Sequence, residues 1–196
     1  AEIGGIAPGS MSPEGRTLAD EGVLLRLHLP LADCGFDVDG CLRAALAAGP
    51  YPSRAIEQNL ADVHAQIAAN RCGVSAIEEL LLRDGLPRVR AYMRHVQDAA
   101  EARMRAALRT LPRGERSFCD ALDDGSPVCV RLRIDDGEAL LDFSGSAVTH
   151  ARSLNAPPAV VASAVLYALR CLVTGEMSLN AGAMRPLRIV LPPGLL

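Results

Sequence analysis

The stretch IEQNLADVHAQIAANRCGVSAIEELLL, residues 56–82, dominates the expected architecture. Its apolar residues recur at alternating steps of four and three, at Ile56, Leu60, Val63, Ile67, Val74, Ile77 and Leu81. This spacing predicts a helix whose apolar stripe is buried against another part of the protein. Asn70 occupies one position of that stripe. An unpaired buried amide costs about 1–3 kcal/mol, so Asn70 is predicted to be hydrogen-bonded, either to fix helix register or within a site.

Composition bounds the classes of function. The 196 residues are 49% hydrophobic, which predicts one folded core or one domain with an appendage, not a disordered chain. All 20 basic residues are arginine, so a Schiff-base lysine or a P-loop lysine is excluded within this chain. The net charge of −3 gives no reason to expect nucleic acid or a membrane as a partner. Six cysteines without a CxxC or zinc pattern are predicted to be reduced thiols of a cytosolic protein.

The helical half of the chain is predicted from periodicity and capping signals. A strand is expected over residues 22–30, and a short helix over 37–48 is capped by Asp37 or Asp39. A second long helix, residues 87–111, follows the first across Asp84-Gly85, and the two are predicted to form an antiparallel hairpin. Its opposite face carries many arginines, which favour either a solvated face or a phosphate-binding surface.

After residue 112 the period changes from 3.6 to 2, which predicts strands. Segments 118–122, 128–134 and 139–144, separated by Asp-Gly turns, predict an antiparallel meander with one apolar face. Asn155 is the expected cap of a helix that Pro157-Pro158 begins and that ends at Val173. This helix is apolar all round but short, so it is predicted to be buried in the core and not to span a membrane. Residues 187–191 form the last expected strand. The predicted fold class is α+β: a long antiparallel helix pair and a buried helix packed on a small antiparallel sheet.

Five phrases carry a family resemblance, namely IGGIAPGSM at 3–11, EQNLADVHAQIAANRCG at 57–73, LDFSGSA at 141–147, NAPPAVVASAVLYALRCLV at 155–173 and LNAGAMRPLRIVLPPGLL at 179–196. In this order they resemble the hydantoinase B/oxoprolinase family. The resemblance implies an internal portion of a longer subunit, organised as a Gly/Pro-rich loop and strand (1–36), a helical part (37–111), and a meander with the buried helix and final strand (112–196).

The resemblance also implies an activity. Family members work with a hydantoinase A-type subunit or domain, which handles ATP and Mg, and open cyclic amides such as hydantoin, N-methylhydantoin or 5-oxoproline. They are hetero-oligomers, and a divalent metal (Zn, Mn or Fe) would be ligated mostly outside this chain. Two alternatives stay open: a subunit of a ketone carboxylase, or a non-catalytic assembly module. Alone, the chain is predicted to be inactive.

Site residues are predicted from the same resemblance. Glu2, where the family usually has Asp, is the expected metal ligand, and the Gly4-Gly5 loop is expected to contact substrate. Amides and guanidinium groups suit a cyclic imide or a carboxylate product. The expected substrate-binding side chains are Gln66, Arg71 and Asn180, and the expected catalytic ones are Asn70, Asn155 and Arg185. Each could instead be a structural polar group.

Overall fold

The computed structural model describes residues 2–9, 12, 14–25, 37–152, 154–191 and 193–194. Its helices are α1 (Leu18–Glu21), α2 (Val38–Ala47), α3 (Ile56–Asp84), α4 (Leu86–Thr110) and α5 (Pro158–Arg170), with a 3-10 turn at Ala181–Met184. Its strands are β1 (Gly114–Ala121), β2 (Pro127–Asp135), β3 (Glu138–Asp142) and β4 (Leu187–Val190). The predicted α+β class is confirmed. The chain divides into two compact units, residues 1–80 with 151–154 and residues 81–150 with 155–196.

The first unit contains α1, α2 and most of α3. Asp37 caps α2, as predicted, because its Oδ1 accepts a 2.9 Å hydrogen bond from the Gly40 amide. Leu42 and Leu46 of α2 are buried, and the Arg43 guanidinium pairs with Glu57 of α3. Residues 22–25 have no regular structure, and the rest of the predicted strand over 22–30 lies outside the described residues.

The predicted burial of the α3 stripe is wrong in the part of the chain that the structure describes. Of the 29 residues of α3, only Asn59 and Leu60 are buried, and Val74 is 58% exposed. Asn70 is exposed as well, so the argument that it must find a buried partner fails. The antiparallel pairing of α3 with α4 stays a prediction. Periodicity shows that a helix has an apolar face, but it does not show which segment covers that face.

The second unit is a sheet covered on one side by α4 and α5. Its strand order is β1-β2-β3-β4, and the first three strands form the predicted antiparallel meander. The fourth strand corrects the prediction: β4 runs parallel to β3, with Leu141 opposite Ile189, so the sheet is mixed. The crossover through α5 explains this, since a long connection returns the chain to the starting end of the sheet, whereas a tight turn cannot.

The core of this unit lies between the helices and the apolar face of the sheet. Met104 and Leu108 of α4, Ile134 of β2, and Val165 and Leu169 of α5 belong to one buried cluster. The helix α5 is less buried than predicted, because Val160 is 53% exposed and only one side of the helix packs. No helix within the described ranges combines the length and the apolar character needed to cross a membrane.

The cysteines only partly follow the prediction of reduced thiols. Cys72 and Cys171 are free and exposed. Cys119 and Cys129 form a disulfide between β1 and β2, where the register places them directly opposite each other with their Cα atoms 4.0 Å apart. The pair has no signature in the sequence, because two thiols ten residues apart come together only when the register of their strands is fixed.

Candidate functional site

The carboxylate of Glu2 is the centre of a polar cluster in the first unit. Its Oε1 accepts hydrogen bonds from the Gly4 amide and from Nη1 of Arg54, both at 2.9 Å. Its Oε2 accepts a 2.5 Å bond from the backbone amide of Arg54. The Arg54 backbone amide is the largest cause that holds the pKa of Glu2 below its ordinary value; the Gly4 amide and the Arg54 guanidinium add to it. Glu2 is therefore ionised at neutral pH, and its carboxylate accepts three hydrogen bonds.

Two buried side chains complete this cluster on the other side of Glu2. The Ser53 hydroxyl donates to the Glu2 carbonyl at 2.7 Å, and Asn59 Nδ2 donates to the same carbonyl at 2.6 Å and to Ser53 Oγ at 2.8 Å. Asn59 is 5% exposed, and its Oδ1 is the one buried side-chain oxygen or nitrogen in the described chain that has no hydrogen-bond partner. Its orientation is set by the Glu2 carbonyl, because a flipped amide would place two acceptor oxygens against each other. Asn59 thus presents a desolvated acceptor without a donor.

The Gly4-Gly5 loop packs directly against backbone. Both glycines have positive φ, 91° and 94°, and a Cβ on Gly4 would lie 2.1 Å from the Tyr51 carbonyl oxygen. The Gly5 amide donates to that carbonyl at 3.1 Å, and the Gly4 amide donates to Glu2. Only glycine fits there. The two amides are used within the unit, and a direct contact between this loop and substrate stays a prediction.

The described residues do not by themselves form a metal site. They contain no group of three or more His, Cys, Asp or Glu side chains placed to hold an ion. Both oxygens of Glu2 already accept hydrogen bonds, and the Arg54 guanidinium beside them disfavours a cation. That Glu2 is one ligand of a metal site whose other ligands lie outside this chain stays a prediction.

The middle of α3 carries three of the predicted site residues. Gln66, Asn70 and Arg71 are exposed, and their side chains make no hydrogen bond or ion pair with any described residue. At 100° per residue, Asn59, Gln66 and Asn70 fall within about 40° of each other around the helix. Three amides therefore line one face of α3, and the first of them is the buried Asn59.

Arg71 lies on another side of α3, in an open cleft of about 680 Å³. The same cleft contains a hydrogen bond between His64 Nε2 and Asp39 Oδ1, 2.8 Å apart. Both partners are about half exposed, which favours a surface pair over a catalytic dyad.

The predicted site residues of the second unit are engaged in structural contacts. Asn180 caps the 3-10 turn, accepting from the Gly182 amide at 2.8 Å. Arg185 binds α4 through Asp98 at 2.6 Å and Gln97 at 2.7 Å. Asn155 does not cap α5, whose N-cap is Pro157; it exchanges hydrogen bonds with the backbone of His150 instead. The structure brings Asn180 and Arg185 together around one turn on α4, and their catalytic and substrate-binding roles stay predictions.

Sequence reasoning missed Ser53, Arg54 and Asn59. Each lies about fifty residues or more from Glu2, whose backbone or carboxylate they bind. One local signal pointed to burial of Asn59: it stands next to Leu60 near the start of a long helix, where the first buried turn of that helix is expected. No spacing rule links it to residue 2.

Comparisons with known proteins match the whole chain. A family model described as Hydantoinase B/oxoprolinase matches residues 1–196. The chain is 36% identical to 5-oxoprolinase 1 of Arabidopsis thaliana, over 99% of this chain and 17% of that protein. It is also 36% identical to the 5-oxoprolinase of Dictyostelium discoideum, over 99% of this chain and 16% of that protein. A Pseudomonas sp. protein assigned as the B-type subunit of a D-/L-hydantoinase is 32% identical, over 73% of this chain and 27% of that protein.

A solved structure also resembles the chain. The ATP-dependent caprolactamase from Pseudomonas jessenii superposes with a TM-score of 0.81 at 25% identity, covering 99% of this chain and 34% of that one. The chain spans less than a fifth of the length of the curated 5-oxoprolinases that it matches.

Proposed function

The chain belongs to the hydantoinase B/oxoprolinase family, and from this premise we propose that it is part of an enzyme that opens cyclic amides with the hydrolysis of ATP. The observation that carries the proposal is the match along the entire chain to proteins named 5-oxoprolinase and to an ATP-dependent caprolactamase, all of which act on lactam-type rings by name. Hydantoin, N-methylhydantoin and 5-oxoproline are the proposed substrate class.

The proposed reaction couples two bond cleavages. The amide oxygen of the ring attacks the γ-phosphorus of ATP, ADP leaves, and the ring carbonyl becomes a phosphorylated imidate. Water then adds to that carbon, and the ring C–N bond breaks, with a proton passing to the departing nitrogen, to leave an acyl phosphate. A second water hydrolyses the acyl phosphate to a carboxylate and inorganic phosphate. The nucleotide and its Mg would be held by an A-type partner subunit or domain, and a divalent metal by residues outside this chain. With that A-type partner, the complete enzyme would be a hetero-oligomer. It would be cytosolic, because it consumes ATP.

We propose that Gln66 and Asn70, about one helical turn apart on the amide-lined face of α3, contact the ring. A cyclic amide presents one N–H donor and one or two carbonyl acceptors, and a carboxamide side chain can both accept from the donor and donate to a carbonyl. Gln66 and Asn70 have no partner among the described residues, so their hydrogen-bonding capacity is available.

The Glu2 cluster supports this face indirectly. Arg54 donates to Glu2 and, through Nη2, to the Gly5 carbonyl at 2.6 Å, so it ties the glycine loop to the start of α3. The proposed role of Glu2 toward a metal is separate. Metal analysis of the complete complex, wild type against Glu2→Gln, measures it: loss of bound metal supports a ligand, and unchanged metal with a weakened fold supports an anchor.

The test of the main proposal uses the complete subunit with its A-type partner. ADP release and ring opening are followed with 5-oxoproline, hydantoin, N-methylhydantoin and caprolactam. A lost side-chain hydrogen bond of about 1–3 kcal/mol in the transition state corresponds to a fall in kcat/KM of roughly 5- to 150-fold for Asn70→Ala and Gln66→Ala. Glu79→Ala is the matched control, because Glu79 is exposed on the opposite side of α3.

Three other outcomes would redirect the assignment. Bicarbonate-dependent consumption of acetone or acetophenone without ring opening identifies a ketone carboxylase. Partner binding without any turnover identifies an assembly module. Ring opening by the 196-residue chain without a partner contradicts the proposal that this chain is inactive alone.

A further inference from the structure

The outer face of the sheet, opposite the core, carries two rows of side chains across β2, β3 and β4. In the first row Arg131 lies opposite Asp142, which lies opposite Val190. Arg131 and Asp142 form an ion pair at 3.5 Å, so this row compensates its own charge. The second row, defined by Arg133, Leu140 and Arg188, has the same geometry with a different charge pattern.

In the second row two arginines flank a leucine. Since neighbouring strands are about 4.8 Å apart, Arg133 and Arg188 start roughly 10 Å from each other, a distance that two arginine side chains can bridge from both sides. Neither side chain makes a hydrogen bond or ion pair with any described residue. Glu115 lies opposite Arg133 on β1, yet no ion pair within 4.0 Å joins them. The middle residue of the first row, Asp142, supplies an anion, whereas the middle residue of the second row, Leu140, is apolar.

A cavity of about 260 Å³ lies over this row. Its lining includes Arg133, Leu140 and Arg188, together with Asp135, Glu138 and Arg185. Two of these charges are already compensated: Glu138 accepts from Arg105 at 2.9 Å, and Arg185 binds Asp98 at 2.6 Å. The charges that stay uncompensated in the lining are therefore two guanidinium groups, of Arg133 and Arg188, and one carboxylate, of Asp135.

We propose that this cavity binds a small oxyanion, a phosphate or a carboxylate, held between Arg133 and Arg188 above Leu140. Guanidinium groups donate in a planar fork that matches the paired oxygens of either anion. Leu140 gives the site an apolar floor, and the aliphatic parts of the arginines can cover it. The volume corresponds to about nine water molecules at about 30 Å³ each. It lies just below the usual range for drug-sized ligands, which favours a small anion over a whole nucleotide.

The experiment is a titration of the 196-residue chain at low ionic strength, by calorimetry and by NMR of the β3 and β4 amides. Inorganic phosphate and succinate are the two probes, and they separate a phosphate ligand from a carboxylate ligand. We expect saturable binding of at least one probe. Arg133→Gln and Arg188→Gln should each weaken it by roughly tenfold, because each removes a charge-assisted pair of hydrogen bonds.

Arg131→Gln is the matched control, since it removes one positive charge from the same face in the row that is already compensated. It should change the affinity by less than about threefold. Equal weakening by all three variants would show only general surface charge and overturn the proposal, as would the absence of saturable binding of both probes. All three arginines are exposed, so circular dichroism should show that each variant is folded.

Discussion

The buried amide of Asn59 gives the sharpest test of the cluster around Glu2. Asn59→Ala removes two hydrogen bonds from Nδ2, to the Glu2 carbonyl and to Ser53 Oγ. At about 1 kcal/mol each, and with the unpaired Oδ1 removed at the same time, the expected loss of unfolding free energy is about 1–2 kcal/mol. The Glu2 carbonyl keeps the hydroxyl of Ser53 as a donor.

Asn59→Asp is nearly isosteric but should cost more than truncation. It places an anionic oxygen where Nδ2 now lies 2.6 Å from the Glu2 carbonyl oxygen. The single proton of the Ser53 hydroxyl is already donated to Glu2, so the new carboxylate has no donor. An uncompensated buried charge costs about 3–5 kcal/mol. Asn59→Asp should therefore be about 1–4 kcal/mol less stable than Asn59→Ala.

The assay is urea unfolding by circular dichroism, with hydrogen exchange of the α2 and α3 amides to isolate the first unit. Gln66→Ala, exposed on the same helix, is the control and should stay within about 0.5 kcal/mol of wild type. Burial should raise the pKa of the introduced carboxyl, so its penalty should be full at neutral pH and disappear as the pH falls below about 4. An aspartate tolerated as well as alanine at pH 7 would refute the described position of the Asn59 side chain.

Three further predictions concern the core, the acid sensitivity and a close backbone contact. Met104→Ala should cost about 2–5 kcal/mol in urea unfolding because Met104 is 0% exposed, whereas Met93→Ala on the same helix, where Met93 is 47% exposed, should cost less than about 1 kcal/mol. Because the folded-state pKa of Glu2 is lowered, the contribution of Glu2 to the free energy of unfolding should be present above the ordinary pKa of 4.5 and be lost as the pH falls through the lower, folded pKa. Glu2→Gln should therefore abolish this acid-induced fall in the urea midpoint. Gly182→Ala should destabilise the second unit and lower its melting temperature, because a Cβ there would lie 2.0 Å from a backbone oxygen of α4, and an unchanged melting temperature would contradict that packing.

Local signals in the sequence predicted the elements well. The Asp-Gly turn at Asp136-Gly137 ends β2 and begins β3, and Asp136 takes a positive φ of 40° there. Pro87 lies in the first turn of α4, where a missing amide hydrogen does no harm. The spacing of apolar residues, 2 in a strand and 3.6 in a helix, shows which side chains share a face. A few consecutive residues are enough to recognise either spacing.

The parts that failed depend on distant contacts. The direction of β4 is set by the crossover through α5, and Asn155 binds His150 because the chain turns back there. The bonds between Glu2 and Arg54 join residues 52 positions apart. No periodicity encodes such a pair, because each partner looks like an ordinary surface residue in its own segment.

Hydrogen-bond satisfaction separates the two groups of predicted site residues. Asn180 and Arg185 use their polar atoms on the capped turn and on α4, so replacing them should act first on stability. Gln66 and Asn70 bind no described residue, and Asn59 keeps an unpaired buried acceptor although buried polar atoms are nearly always paired. The unpaired Oδ1 of Asn59 destabilises the folded protein, whereas the exposed amides of Gln66 and Asn70 are hydrated and can exchange that water for a bound ring without loss of stability. The α3 variants Gln66→Ala and Asn70→Ala should therefore lower turnover with little change in stability, and variants at the 3-10 turn should do the reverse.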